Sequence, residues 1–322
     1  MAFRVFNSAE EWAAHFGGAS RSTVTVGNFD GLHVGHQKIL RSVRERAQAT
    51  GERAAVITFD PHPMRVLHPE RAPVMIQTLA QRLAGFEELG LDAALVLRFD
   101  RALSLMSAEN FIDEILAGAL RAGAILVGAN FRFGHRGAGD VHMLVEHGKT
   151  RGFSVEIVPP VEVDGRVVSS TAIRAAVAGG DVEGAIPLLG RAFSLTGEIR
   201  GGAGRGRTIL FPTLNLEAEQ ELLPKLGVYA TECLVSGKLY SSVTNVGTRP
   251  TFNGSGVTVE SHLFGFSENL TDGRMEVRFH SRIRDERKFS GADELRAQIA
   301  RDIDAARKFF SERALAGNYS RK

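Results

Sequence analysis

The chain of 322 residues holds one cysteine, one tryptophan and three tyrosines. A single cysteine rules out an intrachain disulfide, so packing rather than cross-links must hold the fold. That cysteine, Cys233, stands in the apolar run 228–235 and reads as a small buried residue, not a nucleophile. Strong charge of either sign is missing too: 39 Lys and Arg against 37 Asp and Glu leave a formal +2. So mild a balance, with few stacking aromatics, argues against nucleic acid as a partner. No run approaches the roughly 18 apolar residues of a membrane span, and Met1 to Val5 lack the pattern of a secretory leader. The expectation is a cytoplasmic protein with small-molecule partners, no nucleic acid and no membrane. Oligomeric state is left open.

What is present has the composition of an ordinary globular protein, with length for about two domains. From Thr23 to about Val158, short β-branched runs alternate with helical spacing. Strands are expected at 24–26, 54–59, 93–99, 124–127 and 154–158, and helices at 36–49, 79–89, 108–120 and 141–150. Strands separated by such helices imply right-handed crossovers and a mostly parallel sheet. A helical stretch over 171–189 follows, and then the rhythm changes. Short strand candidates at 193–199, 229–235, 238–246, 257–263 and 275–279 are punctuated by Gly, Asn and Ser, with Ser236-Gly237 as a tight turn. They suggest a small antiparallel barrel or sandwich. An amphipathic helix over 292–314 closes the chain, and the boundary falls near Pro187 to Arg191.

Gly27-Asn28-Phe29-Asp30-Gly31-Leu32-His33-Val34-Gly35-His36 follows a strand directly and opens a helix. An open parallel sheet binds nucleotides at that place. Glycines such as Gly27 and Gly35 let the backbone approach phosphate oxygens, and the helix N-terminus directs N–H groups and a positive dipole end at them. His33 and His36 add imidazole donors, which suits nucleotidyl transfer: its transition state needs positioning and hydrogen bonds more than a strong base. Ser169, Ser170 and Thr171, with Arg174 one turn on, form a hydroxyl cluster at a helix start. They can cap the helix or clamp a triphosphate.

These motifs, with Phe59-Asp60-Pro61-His62-Pro63 and Gly128-Ala129-Asn130-Phe131-Arg132-Phe133-Gly134-His135, occur in order. Together they resemble the FMN adenylyltransferase module of the bacterial bifunctional riboflavin kinase/FAD synthetase family. By that resemblance Asn28, His33 and His36 would contact the nucleotide phosphates, and Ser169, Thr171 and Arg174 the ATP phosphates. Asp60, His62, Asn130, Phe131 and Arg132 would line the flavin side. Phe131 and Phe133 read equally well as core.

The later part carries a glycine-rich basic loop, Gly201 to Arg207, in which Gly204 and Arg207 are candidates for wrapping phosphate. Thr213 and Asn215, two apart on an extended segment, point the same way, as an oxygen-ligand pair for Mg²⁺ requires. Glu260, a single carboxylate on a strand, could accept the proton of an attacking alcohol. Gly227 to Ala230, Asn245 to Phe252, Val259 to Phe264 and Arg284 to Phe289 resemble the riboflavin kinase module of the same family. By that resemblance Thr213 and Asn215 would hold Mg²⁺ with ATP, and Glu260 would activate the ribityl hydroxyl.

The implied architecture is α/β plus β. Residues 1–186 form a Rossmann-like nucleotidyltransferase domain, and residues 187–322 a small antiparallel β-barrel closed by a long helix. The implied substrates are riboflavin, FMN and ATP, with Mg²⁺ as cofactor. The chain departs from the family pattern at Leu210 and Leu214, so the alternative is an adenylyltransferase with a weak kinase. Leu214 should point away from Thr213 and Asn215 by strand alternation. A second alternative, an aminoacyl-tRNA synthetase with an RNA-binding barrel, lacks the basic stripe and stacking aromatics it would need.

Overall fold

The computed structural model describes residues 2–18, 20–200, 212–251, 254–268 and 270–319. Gly204, Arg207 and Leu210 lie outside the described residues. The chain divides into two compact units, Met1–Ser170 and Thr171–Lys322.

The first unit is built on six strands: β1 (Arg4–Phe6), β2 (Ser22–Val26), β3 (Arg53–Asp60), β4 (Ala93–Arg98), β5 (Ala122–Gly128) and β6 (Ser154–Val158). They lie in the order β1-β4-β3-β2-β5-β6, and every neighbouring pair runs parallel. Alternation assigns each side chain to a face. On β3, Ala54 and Val56 pack with Leu40, Val43 and Phe86 of the helices Val34–Thr50 and Leu79–Glu88. Ala55 and Ile57 serve the opposite face, with Trp12, Ile112 and Leu116. Both faces being covered, the central strands are apolar almost throughout. The chain moves outward from β2 through β3 to β4, then starts again at β5 on the other side of β2. Strand order therefore reverses between β2 and β5, which leaves a crevice at their carboxyl ends.

Two expected helices differ in detail. The stretch 108–120 forms a short α turn, Ala108–Asn110, and then a π-wound segment, Phe111–Ala119. Its last turn closes from Leu120 N–H to the Ile115 carbonyl at 2.9 Å. Gly118 permits this winding, since a Cβ there would stand 2.8 Å from the Asp113 carbonyl oxygen. The stretch 171–189 is broken into Ser170–Gly179 and Val182–Leu189. Gly180 makes the break with φ +87°, a left-handed value at which a helix ends. A small hairpin, β7 (Glu162–Val163) with β8 (Arg166–Val167), was not foreseen, and neither were β1 and the helix Ala9–Phe16.

The second unit is a closed antiparallel barrel of β9 (Phe193–Arg200), β10 (Leu214–Ala218), β11 (Gly227–Val235), β12 (Lys238–Thr251), β13 (Gly254–Leu263) and β14 (Arg274–Asp285). β9 pairs with β10 and removes the open edge of the sheet. Register shifts between β11 and β14 supply the local bends that closure needs. Ser236 (φ 51°) and Gly237 (φ 76°) make the two-residue turn between β11 and β12, as a primed hairpin turn requires. The interior carries a buried hydroxyl chain: Thr231 Oγ1 lies 2.8 Å from Ser242 Oγ and 2.6 Å from Thr244 Oγ1, which lies 2.7 Å from Ser261 Oγ. Cys233 joins it through Ser242 at 3.2 Å, and burial pushes its thiol up to about 11. It is a core residue, as its apolar surroundings implied. The helix Ala292–Tyr319 covers the outer face of β11 and β12, seating Ile303 and Ala306 on Val228, Ala230 and Val243. Among the described residues no helix is long and apolar enough to cross a membrane.

Candidate active sites

The first candidate site lies where the strand order reverses. β2 ends at Val26, and the chain turns through Gly27 to His33 into the helix Val34–Thr50. Phe29 (φ 50°), Gly31 (φ 89°) and Leu32 (φ 41°) all take positive φ. Gly31 does so freely, while Phe29 and Leu32 must be held there by packing, and both are buried. Asp30 anchors the loop: its buried carboxylate accepts the Ile76 and Gln77 N–H groups, each at 3.1 Å. Ser170 donates its hydroxyl to the Asp30 carbonyl at 2.8 Å. Of the three clustered hydroxyls, Ser170 thus spends its proton on the loop. Ser169 is half-buried, Thr171 is exposed, and Arg174 is half-buried one turn along the helix Ser170–Gly179.

The two histidines are set by this turn. His33 caps the helix, its Nδ1 accepting the His36 N–H at 3.2 Å. A ring nitrogen that accepts carries no proton, so a neutral His33 holds its proton on Nε2 as a donor. The His33 and His36 rings stack at 3.6 Å between centroids, 16° from parallel. Phe29 meets His36 edge-on at 5.2 Å. Burial, and secondarily His33, hold the His36 pKa well below the usual imidazole value. Its ring is therefore neutral at neutral pH, able to donate one hydrogen bond without bringing a charge. His36 Nδ1 is buried with no partner among the described residues. Gly35 fits closely against the stack: a Cβ there would stand 3.1 Å from His33 Cε1, so the ring would have to shift by a few tenths of an ångström.

A cavity of about 1060 Å³ opens beside this loop, entirely within the first unit. Gly27 and Asn28 line it from the exit of β2, and Phe131 to Gly137 from the loop after β5. Its apolar part holds two phenylalanine pairs. Phe59 and Phe99 meet edge-on at 5.8 Å, and Phe131 and Phe133 stack at 5.4 Å, 14° from parallel. Phe133 is also buried in the core, and Phe131 is half-buried against it, so each lines the cavity and packs with the core at once. His62, Arg101, Arg132 and His135 add basic or polarisable groups around it. His62 uses the same device as His33: its Nδ1 accepts the Met64 N–H at 3.2 Å. Asp60 and Asn130 are not among the lining residues described; Asp60 stands 3.6 Å from the buried Arg82 instead. Arg82 went unnoticed in the sequence, as did Asp30. Nothing in the helical spacing of 79–89 marks one arginine as buried.

The second candidate site is made by strand register. Glu260 on β13 stands opposite Asn215 on β10 and opposite Asn245 on β12. Directly opposed residues share a face, so one carboxylate is flanked by two carboxamides on the outside of the barrel. Leu214, Val259, Ser261 and Val246 alternate with them and are buried. Leu214 accordingly turns away from Thr213 and Asn215, as expected. Thr213 is exposed just before β10, and the Pro212 carbonyl beside it lies 2.9 Å from His262 Nδ1. That contact ties the segment to β13. Glu286, from the motif after β14, accepts the Thr248 N–H at 3.2 Å. Gly247 keeps the space open, since a Cβ there would stand 2.7 Å from both Asn245 Nδ2 and Glu286 Oε1. Asn245 had no assigned role in the sequence. Among the described residues no group of three or more His, Cys, Asp or Glu could hold a metal ion.

A histidine-bearing loop at the reversal of a parallel sheet, beside an aromatic cavity with basic edges, has the geometry that nucleotidyl transfer needs; the chain also carries a barrel with a carboxylate between carboxamides. Comparison with known proteins narrows that class. Residues 18–172 match the family model for FAD synthetase, and residues 189–310 that for riboflavin kinase. The chain is 37% identical over 289 residues to a bifunctional riboflavin kinase/FMN adenylyltransferase of Haemophilus influenzae, covering 89% of this chain and 94% of that one. It is 38% identical to one of Escherichia coli K12 (89% and 92% covered) and 34% identical to one of Bacillus subtilis (91% and 93%). A crystal structure described as a macrolide-efflux protein from Streptococcus pneumoniae aligns with a TM-score of 0.85 at 29% identity, covering 95% of this chain and 99% of that one. The chain belongs to the bifunctional riboflavin kinase/FMN adenylyltransferase family. It is a transferase with both activities, forming FMN from riboflavin and FAD from FMN.

Proposed function

We propose that the two reactions run on separate machinery: adenylyl transfer at His33 and His36 within residues 1–186, and riboflavin phosphorylation at Glu260 within residues 187–322. The stacked, helix-capping histidine pair carries the first assignment. FMN lies in the aromatic cavity against Phe59, Phe99, Phe131 and Phe133, with Arg132 and His62 near its phosphate. ATP extends over Gly27, Asn28 and Gly35; the family resemblance gives Ser169, Thr171 and Arg174 the role of binding its phosphates. An FMN phosphate oxygen attacks the α-phosphorus of ATP and pyrophosphate leaves. No group need abstract a proton, because the attacking phosphate is already ionised. The Nε2–H of His33 and a neutral His36 stabilise charge building on the α-phosphoryl oxygens. Asp60, which pairs with Arg82, and the exposed Asn130 act from the edge of this site.

In the kinase half, Glu260 takes the proton of the ribityl 5′-hydroxyl as it attacks the γ-phosphorus, and ADP leaves as the bond from that phosphorus to the β,γ-bridging oxygen breaks. The fit of Mg²⁺ follows from donor chemistry: Thr213 and Asn215 offer neutral oxygens, the complement of a cation that also binds ATP phosphates. Mg²⁺ supplies charge neutralisation of the polyphosphate when bound. Gly204 and Arg207 complete the phosphate side in this reading. The setting is cytoplasmic, where ATP and riboflavin are both at hand.

The test is product separation from full-length protein given riboflavin or FMN with ATP, with and without Mg²⁺. We expect FMN and FAD from riboflavin, FAD alone from FMN, and loss of both reactions on chelation. FAD from FMN without any FMN from riboflavin would instead support the reading in which the kinase is impaired by Leu210.

A further inference from the structure

Arg82 is 2% exposed, lies in the middle of the helix Leu79–Glu88, and reaches under the carboxyl ends of two strands. Its Nη1 donates to the Asn28 carbonyl at 3.0 Å, to Thr58 Oγ1 at 3.0 Å and to the Phe59 carbonyl at 3.3 Å. Its Nη2 stands 3.6 Å from Asp60 Oδ1, and its Nε is buried with no partner among the described residues. Asn28 belongs to the loop after β2; Phe59 and Asp60 end β3 and lead into Pro61-His62-Pro63 beside the flavin cavity. One guanidinium therefore ties together the exits of two adjacent strands.

Burying a guanidinium costs several kcal/mol unless it is paired and hydrogen-bonded. Here the partners are two backbone carbonyls, a hydroxyl and a carboxylate, and Asp30 is a second nearby carboxylate. Thr58 already donates to the Asn28 carbonyl at 3.3 Å, so the two exits keep one link without Arg82. What Arg82 adds is a rigid planar fork that sets their separation. We infer that Arg82 is a positioning residue for adenylyl transfer, fixing the loop that holds ATP relative to the segment that holds FMN. The inference rests on the proposed placement of ATP and FMN. Arg82 itself touches neither substrate in this scheme. Its role is to bring the FMN phosphate and the α-phosphorus of ATP into line, which a misplacement of about 1 Å can spoil a hundredfold.

Such a residue should affect the rate within the ternary complex and not the affinity for either substrate. The experiment is single-turnover FAD formation from saturating FMN and ATP on the full chain, with KM measured for each. Trp12, the one tryptophan and a buried residue of the first unit, reports by its fluorescence whether that unit is folded. Arg82→Met should lower the single-turnover rate about a hundredfold with each KM changed less than about threefold. Arg82→Lys keeps the charge and most of the volume, so it remains informative if the methionine variant does not fold. One ammonium cannot reproduce the fork, and a loss of at least about tenfold is expected. Arg82→Lys at the wild-type rate, or a raised KM with an unchanged rate in either variant, would overturn the inference. His36→Ala in the same assay separates the two levels: retained FAD formation there sinks the site assignment, whereas its loss beside active Arg82 variants sinks only the role of Arg82.

Discussion

In the first unit the two histidines stand on a loop fixed from several distant stretches: Ile76 and Gln77 hold Asp30, Ser170 holds its carbonyl, and Arg82 holds Asn28. In the second unit Glu260 stands on a strand, and its two carboxamide neighbours follow from ladder register. A loop has no intrinsic geometry, so precision there must come from tertiary contacts, some of them buried and charged. A strand in a closed barrel has its geometry already, and a side chain on it needs only the right register. The two sites should therefore respond differently to change. The first should be sensitive to residues that never meet substrate, the second chiefly to the residues that do.

The sharpest way to break this comparison is reciprocal substitution. His36→Ala should lower FAD formation from FMN at least a hundredfold, the scale expected when a transition-state donor is removed, and leave FMN formation within about twofold. Glu260→Gln should lower FMN formation about a hundredfold or more, as for loss of a general base, while FAD formation from supplied FMN stays unchanged. Both are read by separating flavin products, and a variant that stops both reactions would contradict the two-site assignment. A smaller effect is expected at Gly35. Gly35→Ala pushes a methyl against the His33 ring, so FAD formation should fall about tenfold, a cost of roughly 1.4 kcal/mol in the barrier. Trp12 fluorescence should still report a folded first unit.

The smallest expected effect is on stability and concerns His36 alone. Folding depresses its pKa, so the unfolded chain binds more protons around it. The stability this contributes is fully present above the ordinary imidazole pKa of about 6.5, and it is lost as pH falls through the depressed folded value. Urea midpoints followed by Trp12 fluorescence should drop between neutral and mildly acid pH. In His36→Gln that drop should be shallower. An equal slope in the two proteins would show that the buried ring is not the titrating group.

Much of this was legible in the residues. Short β-branched runs between helical stretches implied the parallel sheet, because strands covered on both faces must be apolar throughout. The change to punctuated short strands after residue 191 implied the barrel, and a single buried cysteine implied a fold without cross-links. The glycine–histidine loop was recognisable because its chemistry is contiguous in the chain. The second site was half legible: Thr213, Asn215 and Glu260 could be named, but that Asn245 would flank Glu260 could not, since barrel register is decided by closure. Arg82 was beyond reach, because one arginine among helical residues looks the same whether it faces water or the core. The sequence by itself determined the element types, the two-part organisation and the chemistry on offer, all of which depend on short-range pattern. Only the tertiary structure decided which groups meet: Asp30 with Ile76 and Gln77, Glu260 with Asn215 and Asn245, and the guanidinium joining two strand exits. Those depend on packing between segments far apart in the chain, where local propensity carries no information.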